Sequence, residues 1–413
     1  MRILFITEQI PYPLDTGGNV RTFHILSSLV TRHDVELLAT IREPENPQAT
    51  EILGRMCKKL HVITLRKRSL LREALLAAKL TFFGGSILLD RHRHPEVSRV
   101  IRQIFTGKKK HSGELHEDSI DAVYFNHLDA ANYSDLIPKN IVRVLDQHNV
   151  VSSQVQSLQN SDMAWYRRAI LRREFQVLQK IEPKLCNEMT LCLACSGVDA
   201  NSLRSLGVIA PIAEVPNGVD TSEFSMNSNH SKRAHEIIFV GTMDYLPCDQ
   251  GMWYFLNSIL PLIHAVYSDL HVKVIGRNPS RRIREFASRD HRIHVSGRVD
   301  DVRPHVRNAK VCIVPLLSGS GTRLKILEAF ALGTPVVSTT IGAEGLAATH
   351  GKHILVSDSV AGFAQYVLDL VRDEMKAAAI ANEARKLVEH LYDWAVIGQR
   401  LLNHLPDNQN ATI

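Results

Sequence analysis

The residues best suited to chemistry fall in one short run: Gly319, Ser320, Gly321, Thr322, Arg323, Lys325 and Glu328. The run reads as a buried strand over 310–314, a Gly/Ser loop, a helix over 322–332 and a second strand over 335–338. Glycine has no Cβ and takes positive φ, so such a loop lets backbone come close to a ligand. The helix behind it turns its unpaired N–H groups and positive dipole end toward the loop, which makes an anion site. Arg323 and Lys325 add fixed positive charge, and Glu328 follows within two turns of the helix start. A diphosphate carrying a sugar or ribose suits that combination. Most glycine-rich loops ahead of helices are plain turns; two cations and a glutamate in the same segment set this one apart.

The first half of the chain offers three more candidates. Thr16-Gly17-Gly18-Asn19 lies between the first predicted strand and a helix predicted to begin near Val20. Ligands of doubly wound sheets bind beyond the carboxyl ends of the strands, and Gly17 and Gly18 would let the phosphates or the reacting sugar of such a donor approach the backbone there. A tight turn after Pro11 and Pro13 is the plainer account. A dinucleotide fingerprint needs GxGxxG followed about twenty residues on by an acid, and Thr16 to Arg21 does not match it. His127 ends a predicted strand over 121–126, so its ring reaches the same crevice and can hydrogen-bond or stabilise charge near neutral pH. With twenty histidines in the chain, a satisfied polar residue is the competing account. Asp146 and His148 end the next strand.

Two alternating series of elements must position these groups. Predicted strands at 2–7, 35–41, 60–64, 121–126, 141–145 and 190–195 alternate with helical patterns such as 20–30 and 165–184. A second series runs through 236–240, 271–275, 292–295, 310–314, 335–338 and 353–356. Alternation of this kind implies parallel, doubly wound α/β sheets. The polar stretch over 223–235 reads as a linker. At 413 residues the chain is too long for one core. Two Rossmann-like domains facing a central cleft are expected.

In this order and spacing, the segment from Gly319 to Ala329 resembles the donor loop of the retaining glycosyltransferases of family four, the "group 1" family with the GT-B fold. Pro216 to Asp220 is similar to that family's interdomain motif, Phe239 to Asp244 to the opening of its second domain, and Gly342 to Leu346 to an exopolysaccharide-type subgroup. The resemblance implies domains at 1–216 and 217–390, with a terminal helix in 391–413 crossing back to the first. It implies that Glu328 binds the ribose, that Arg298 lies in the turn receiving the base, and that Gly241 contacts the donor. His127 matches the family's active-site histidine, and Asp146 and His148 become candidates for acceptor contacts. The family's first glutamate is replaced by Ser320, whose surrounding backbone takes its place toward the sugar. The usual Arg and Lys after the first strand of the second domain are missing from Gly241 to Asp249, which shifts their burden to Arg323 and Lys325. With no DxD motif and no clustered His/Asp/Cys ligand set, no metal and no cofactor are expected. Hexose transfer with retention is implied, from a nucleotide sugar donor to a glycan or lipid-linked acceptor.

Composition limits the alternatives. The formal charge of +6 is modest, and basic runs lack the interleaved aromatics of single-strand binders, so no nucleic acid partner is expected. Met1 to Thr7 is too short for a signal peptide, and no run is long and apolar enough to span a bilayer. A cytoplasmic protein follows, at most peripheral at the inner face of the membrane. The basic amphipathic stretch over 65–83 would suit an anionic membrane surface and equally an ordinary packed helix. Cys192 and Cys195 face opposite sides of one strand, and all six cysteines read as small buried hydrophobes. Two other classes stay open: a silent nucleotide-sugar-binding protein, favoured by the lost glutamate, and a Rossmann oxidoreductase, disfavoured by the absent fingerprint.

Overall fold

Arg2–Thr7 is buried at every position, as a strand covered on both faces must be, and forms β1 in the interior of a parallel sheet. It joins β2 (Asp34–Ile41), β3 (Lys59–Thr64), β4 (Ala122–Asn126), β5 (Val142–Gln147), β6 (Leu191–Ala194) and β7 (Ile212–Glu214). Their order is β3-β2-β1-β4-β5-β6-β7, so the winding reverses between β1 and β4. Phe5 pairs with Leu37 on one side and Tyr124 on the other, which fixes the register across that switch. This computed structural model describes residues 1–42, 46–65, 84–106, 119–159, 164–226, 233–319 and 321–406. Ser320, the basic stretch over 66–83 and linker residues 227–232 lie outside them.

A second parallel sheet follows: β8 (Ala234–Val240), β9 (His271–Ile275), β10 (Ile293–Gly297), β11 (Ala309–Val314), β12 (Val336–Ser338) and β13 (Leu355–Val356). The order is β10-β9-β8-β11-β12-β13, with its reversal between β8 and β11. The chain divides into two compact units, Met1–Pro216 with Gly398–Ile413, and Asn217–Ile397. Each has its own core, Leu4, Val123 and Leu145 in the first, Phe239, Val274 and Phe330 in the second. The last helix, Trp394–His404, begins in the second unit and ends in the first. Among the described residues no helix is long and apolar enough to cross a membrane.

The α/β class and nearly every predicted strand agree with the structure. β7 escaped notice because three residues carry no periodicity. The helix after β1 starts at Gly17 rather than near Val20, because Thr16 caps it, its hydroxyl accepting from the Asn19 N–H at 3.3 Å. The helix after β11 starts at Leu324 rather than Thr322, with Arg323 as its cap residue. All six cysteines are buried thiols.

Candidate functional site

In the first unit the chain leaves β4 and turns at His127, where φ is 77° and ψ is 159°. Almost only glycine occupies that region, and holding another residue there costs about 1–3 kcal/mol. The His127 N–H donates to the Asp146 carbonyl at 2.9 Å, and Nδ1 lies 3.1 Å from Asp129 Oδ2. Burial opposes the imidazolium, but the Asp129 hydrogen bond and charge, with Glu8 behind them, outweigh it, and His127 titrates above an ordinary histidine. His148 meets the His127 ring edge-on at 5.5 Å. Burial pushes His148 down to about 3 despite the Asp146 charge, and its Nε2 reaches Asn126 Oδ1 at 3.0 Å. Two neighbouring imidazoles therefore hold opposite preferences, one for the proton and one against it.

The acceptor contact expected of Asp146 is corrected by its burial. Its carboxylate is fully enclosed, ion-paired to Arg21 at 2.6 Å and hydrogen-bonded by the Tyr124 hydroxyl at 3.0 Å. Arg21 is also buried, and its Nη1 donates to the Pro216 carbonyl at 3.1 Å. This pair ties the capped helix to β5 and holds up the backbone on which His127 turns. Gly17 and Gly18 are the first residues of that helix, and a Cβ on Gly18 would meet nothing within 4 Å.

A further cluster escaped the sequence reading. Glu8 at the end of β1, His92 and Asp129 each bring one ligand atom within 4.8 Å of the others. Glu8 and His92 lie in direct contact. Burial raises the Glu8 carboxyl above its ordinary value, against the hydrogen bond from His92. The expectation of no clustered ligand set is thereby corrected: two carboxylates and an imidazole can hold a cation or a proton. Residues so far apart in the chain leave no spacing to read.

In the second unit the candidates gather at the carboxyl ends of β8 and β11, where ligands of such sheets bind. Gly319 and Gly321 have φ of 108° and 83°, the left-handed backbone that favours glycine. Arg323 is buried against the loop, its guanidinium 3.1 Å from where a Gly319 Cβ would stand. Lys325 Nζ lies 4.6 Å from the centroid of the Phe239 ring and donates to Cys248 Sγ at 3.4 Å. It makes no ion pair among the described residues. A Cβ on Gly241 would fall 2.5 Å from that ammonium, so a larger residue there would displace Lys325 from its place over the ring. Gly276, unnoticed in the sequence, packs so tightly that its Cβ would stand 1.7 Å from the Gly241 carbonyl oxygen. Glu328 is half-buried, and its carboxylate accepts no hydrogen bond among the described residues. Burial raises it above the usual carboxylate range, against the pull of Lys325. Arg298 is exposed just after Gly297, whose φ is 66°, and Thr322 closes the loop.

Comparison with known proteins follows the same division. Residues 234–373 match the family model described as glycosyl transferases group 1, and this span includes every second-unit candidate. Over 407 residues, 95% of this chain and 96% of the relative, it is 23% identical to an uncharacterized 44.6 kDa protein in the cps region of Klebsiella pneumoniae. It is 28% identical over 198 residues to a phosphatidyl-myo-inositol mannosyltransferase of Mycolicibacterium smegmatis, covering 46% of this chain and 50% of that enzyme. The chain thus spans about half the length of that curated mannosyltransferase. Among solved structures, it resembles a sucrose-phosphate synthase from Thermosynechococcus elongatus, with a TM-score of 0.71, 14% identity and 98% of each chain covered. An Anabaena protein, HepE, solved in complex with UDP, gives a TM-score of 0.66 at 16% identity, over 98% of this chain and 99% of that one. These likenesses show the fold, which is GT-B.

Proposed function

We propose that the protein is a glycosyltransferase that moves a hexose from a nucleotide diphosphate sugar to a polysaccharide or lipid-linked acceptor, with retention and without a metal ion. One observation carries the reading. At the switch point of the second sheet, an ammonium with no ion pair and a carboxylate with no hydrogen bond, among the described residues, flank a left-handed glycine loop. Phosphate oxygens would complete Lys325 and the loop N–H groups, and ribose hydroxyls would complete Glu328. Fold alone would not support this, since such sheets host many chemistries. The family match over the same residues, the mannosyltransferase relative and the UDP-bound neighbour support it. The relative from a cps region favours cell-envelope or exopolysaccharide assembly.

In this reading Arg323, Lys325 and the helix start stabilise the departing diphosphate, where one charged donor is worth about 2.7–4 kcal/mol of barrier. His127, kept protonated by Asp129, offers Nε2–H to a sugar hydroxyl or to developing charge. Ser320, standing where the family has its first glutamate, favours a second reading, a protein that binds the nucleotide sugar without reacting. One experiment separates the three classes. A thermal-shift panel of nucleotide sugars and nicotinamide cofactors, followed by a sugar-release assay on whichever binds, should give both binding and turnover with a nucleotide sugar, unaffected by EDTA. Binding without any turnover would favour the silent protein, nicotinamide binding alone would end the transfer reading, and activity lost to EDTA and restored by magnesium or manganese would implicate a metal.

A further inference from the structure

Three segments far apart in the chain bring Glu8, His92 and Asp129 together inside the first unit. Glu8 follows β1 directly, and its backbone is tied to β2, the Thr40 hydroxyl donating to its carbonyl. Asp129 lies on the single-turn helix Leu128–Ala131, just after the turn at His127. His92 is presented by a loop pinned at three points. The Tyr133 hydroxyl donates to the His92 carbonyl at 3.0 Å and accepts from the His94 N–H at 2.8 Å, and Arg93 Nη1 donates to the Asn132 carbonyl at 2.9 Å. The ligand atoms so gathered lie within 4.8 Å of one another. One of the carboxylate oxygens, Glu8 Oε1, is closed off from solvent and accepts no hydrogen bond among the described residues. The side chains as a whole remain reachable, His92 being 25%, Glu8 21% and Asp129 20% exposed.

We propose that these three side chains form a site for a divalent transition metal of the zinc type, and that filling it slows sugar transfer. An imidazole with two carboxylates suits zinc, whereas magnesium and calcium take oxygen ligands. Small rotations of the three side chains would bring their atoms onto one ion at about 2.0–2.2 Å. Three protein ligands leave a fourth position for water, and the partial exposure supplies a way in. Asp129 serves two neighbours, since His127 Nδ1 lies 3.1 Å from its Oδ2. A cation on Asp129 neutralises the carboxylate that orients the His127 ring, and a ring without that partner meets a sugar hydroxyl less well. The slowing rests on the transfer reading; the binding does not, and the ion takes no part in the transfer step itself.

Titration of the untagged full-length protein, stripped with EDTA and then freed of it, with zinc against a chromophoric chelator tests this. One equivalent should bind, and magnesium should not displace it. His92→Ala and Glu8→Gln should each bind zinc at least about tenfold more weakly, whereas His291→Ala, exposed in the second unit, should match wild type. Turnover with the nucleotide sugar that binds should fall as the site fills, recover when EDTA is added, and be insensitive to zinc in His92→Ala. No stoichiometric binding, or equal affinity in wild type and all three variants, would overturn the site. Wild-type turnover unchanged by the bound equivalent would overturn the link to His127. If no nucleotide sugar turns over, the transfer reading and the slowing fall together, and the chelator competition still decides the site.

Discussion

Glu328 and His127 illustrate how a single side chain can be tested for what it touches. Glu328→Ala should weaken nucleoside diphosphate binding by about 2 kcal/mol, roughly thirtyfold, the worth of a hydrogen bond to a charged group. The fold should survive, because no described residue hydrogen-bonds that carboxylate. Since burial raises Glu328 above the ordinary carboxylate range, wild-type affinity should also fall on acidification while exposed glutamates are still ionised. Calorimetry across pH measures both, and an unchanged dissociation constant in the variant would remove Glu328 from the ligand. His127→Ala should lower sugar transfer and donor hydrolysis by at least tenfold, with nucleotide affinity unaltered, because Lys325, Glu328 and the glycine loop proposed to hold the nucleotide belong to the second unit. Wild-type turnover in that variant would return His127 to the ordinary polar residues. Arg323, Lys325 and Glu328 were legible in the sequence because a loop and the helix after it keep them close. Arg21 was not, because Asp146, its partner, stands 125 positions away; nor was the Glu8–His92–Asp129 cluster, which only the fold assembles.

Strands buried on both faces announce themselves as short apolar runs, and that is why β1, β2, β4 and β11 were readable almost to the residue. Helix starts were misplaced by two or three residues, late at Gly17 and early at Leu324, because caps, not periodicity, set them. Packing between elements left no mark in the sequence. The Arg21–Asp146 pair joins the Gly17–Val30 helix to β5 and is enclosed completely. Removing one partner strands the other charge, so Asp146→Ala should cost about 3–5 kcal/mol in denaturant unfolding. Replacing both, as Arg21→Met with Asp146→Leu, should cost clearly less. If the two variants lose equal stability, the pair's charge is not what the fold depends on.

At the scale of the whole molecule, two alternating series separated by a polar stretch made two sheets legible, whereas the division of the last helix at residues 397 and 398 was not. Stability against pH is a property of the entire chain, yet one residue should dominate part of its curve. His148 sits at about 3 when folded against an ordinary 6.5. A depressed value means that its contribution is fully present above 6.5 and is lost as pH falls toward 3. The slope approaches about 1.4 kcal/mol per pH unit. His127, whose value is raised, works oppositely, and its contribution fades only as pH rises through that value. Unfolding curves of wild type and His148→Gln should therefore diverge as pH falls from 6.5 toward 3, with the variant flatter. Parallel curves would mean that His148 accepts its proton in place.

The backbone at residue 127 has a consequence for any lineage of this chain. A conformation that glycine takes freely is held by histidine, so heat resistance and sugar transfer pull the codon in different directions. A random library screened only for survival of heating should enrich glycine at 127. The same library screened for product should purge it.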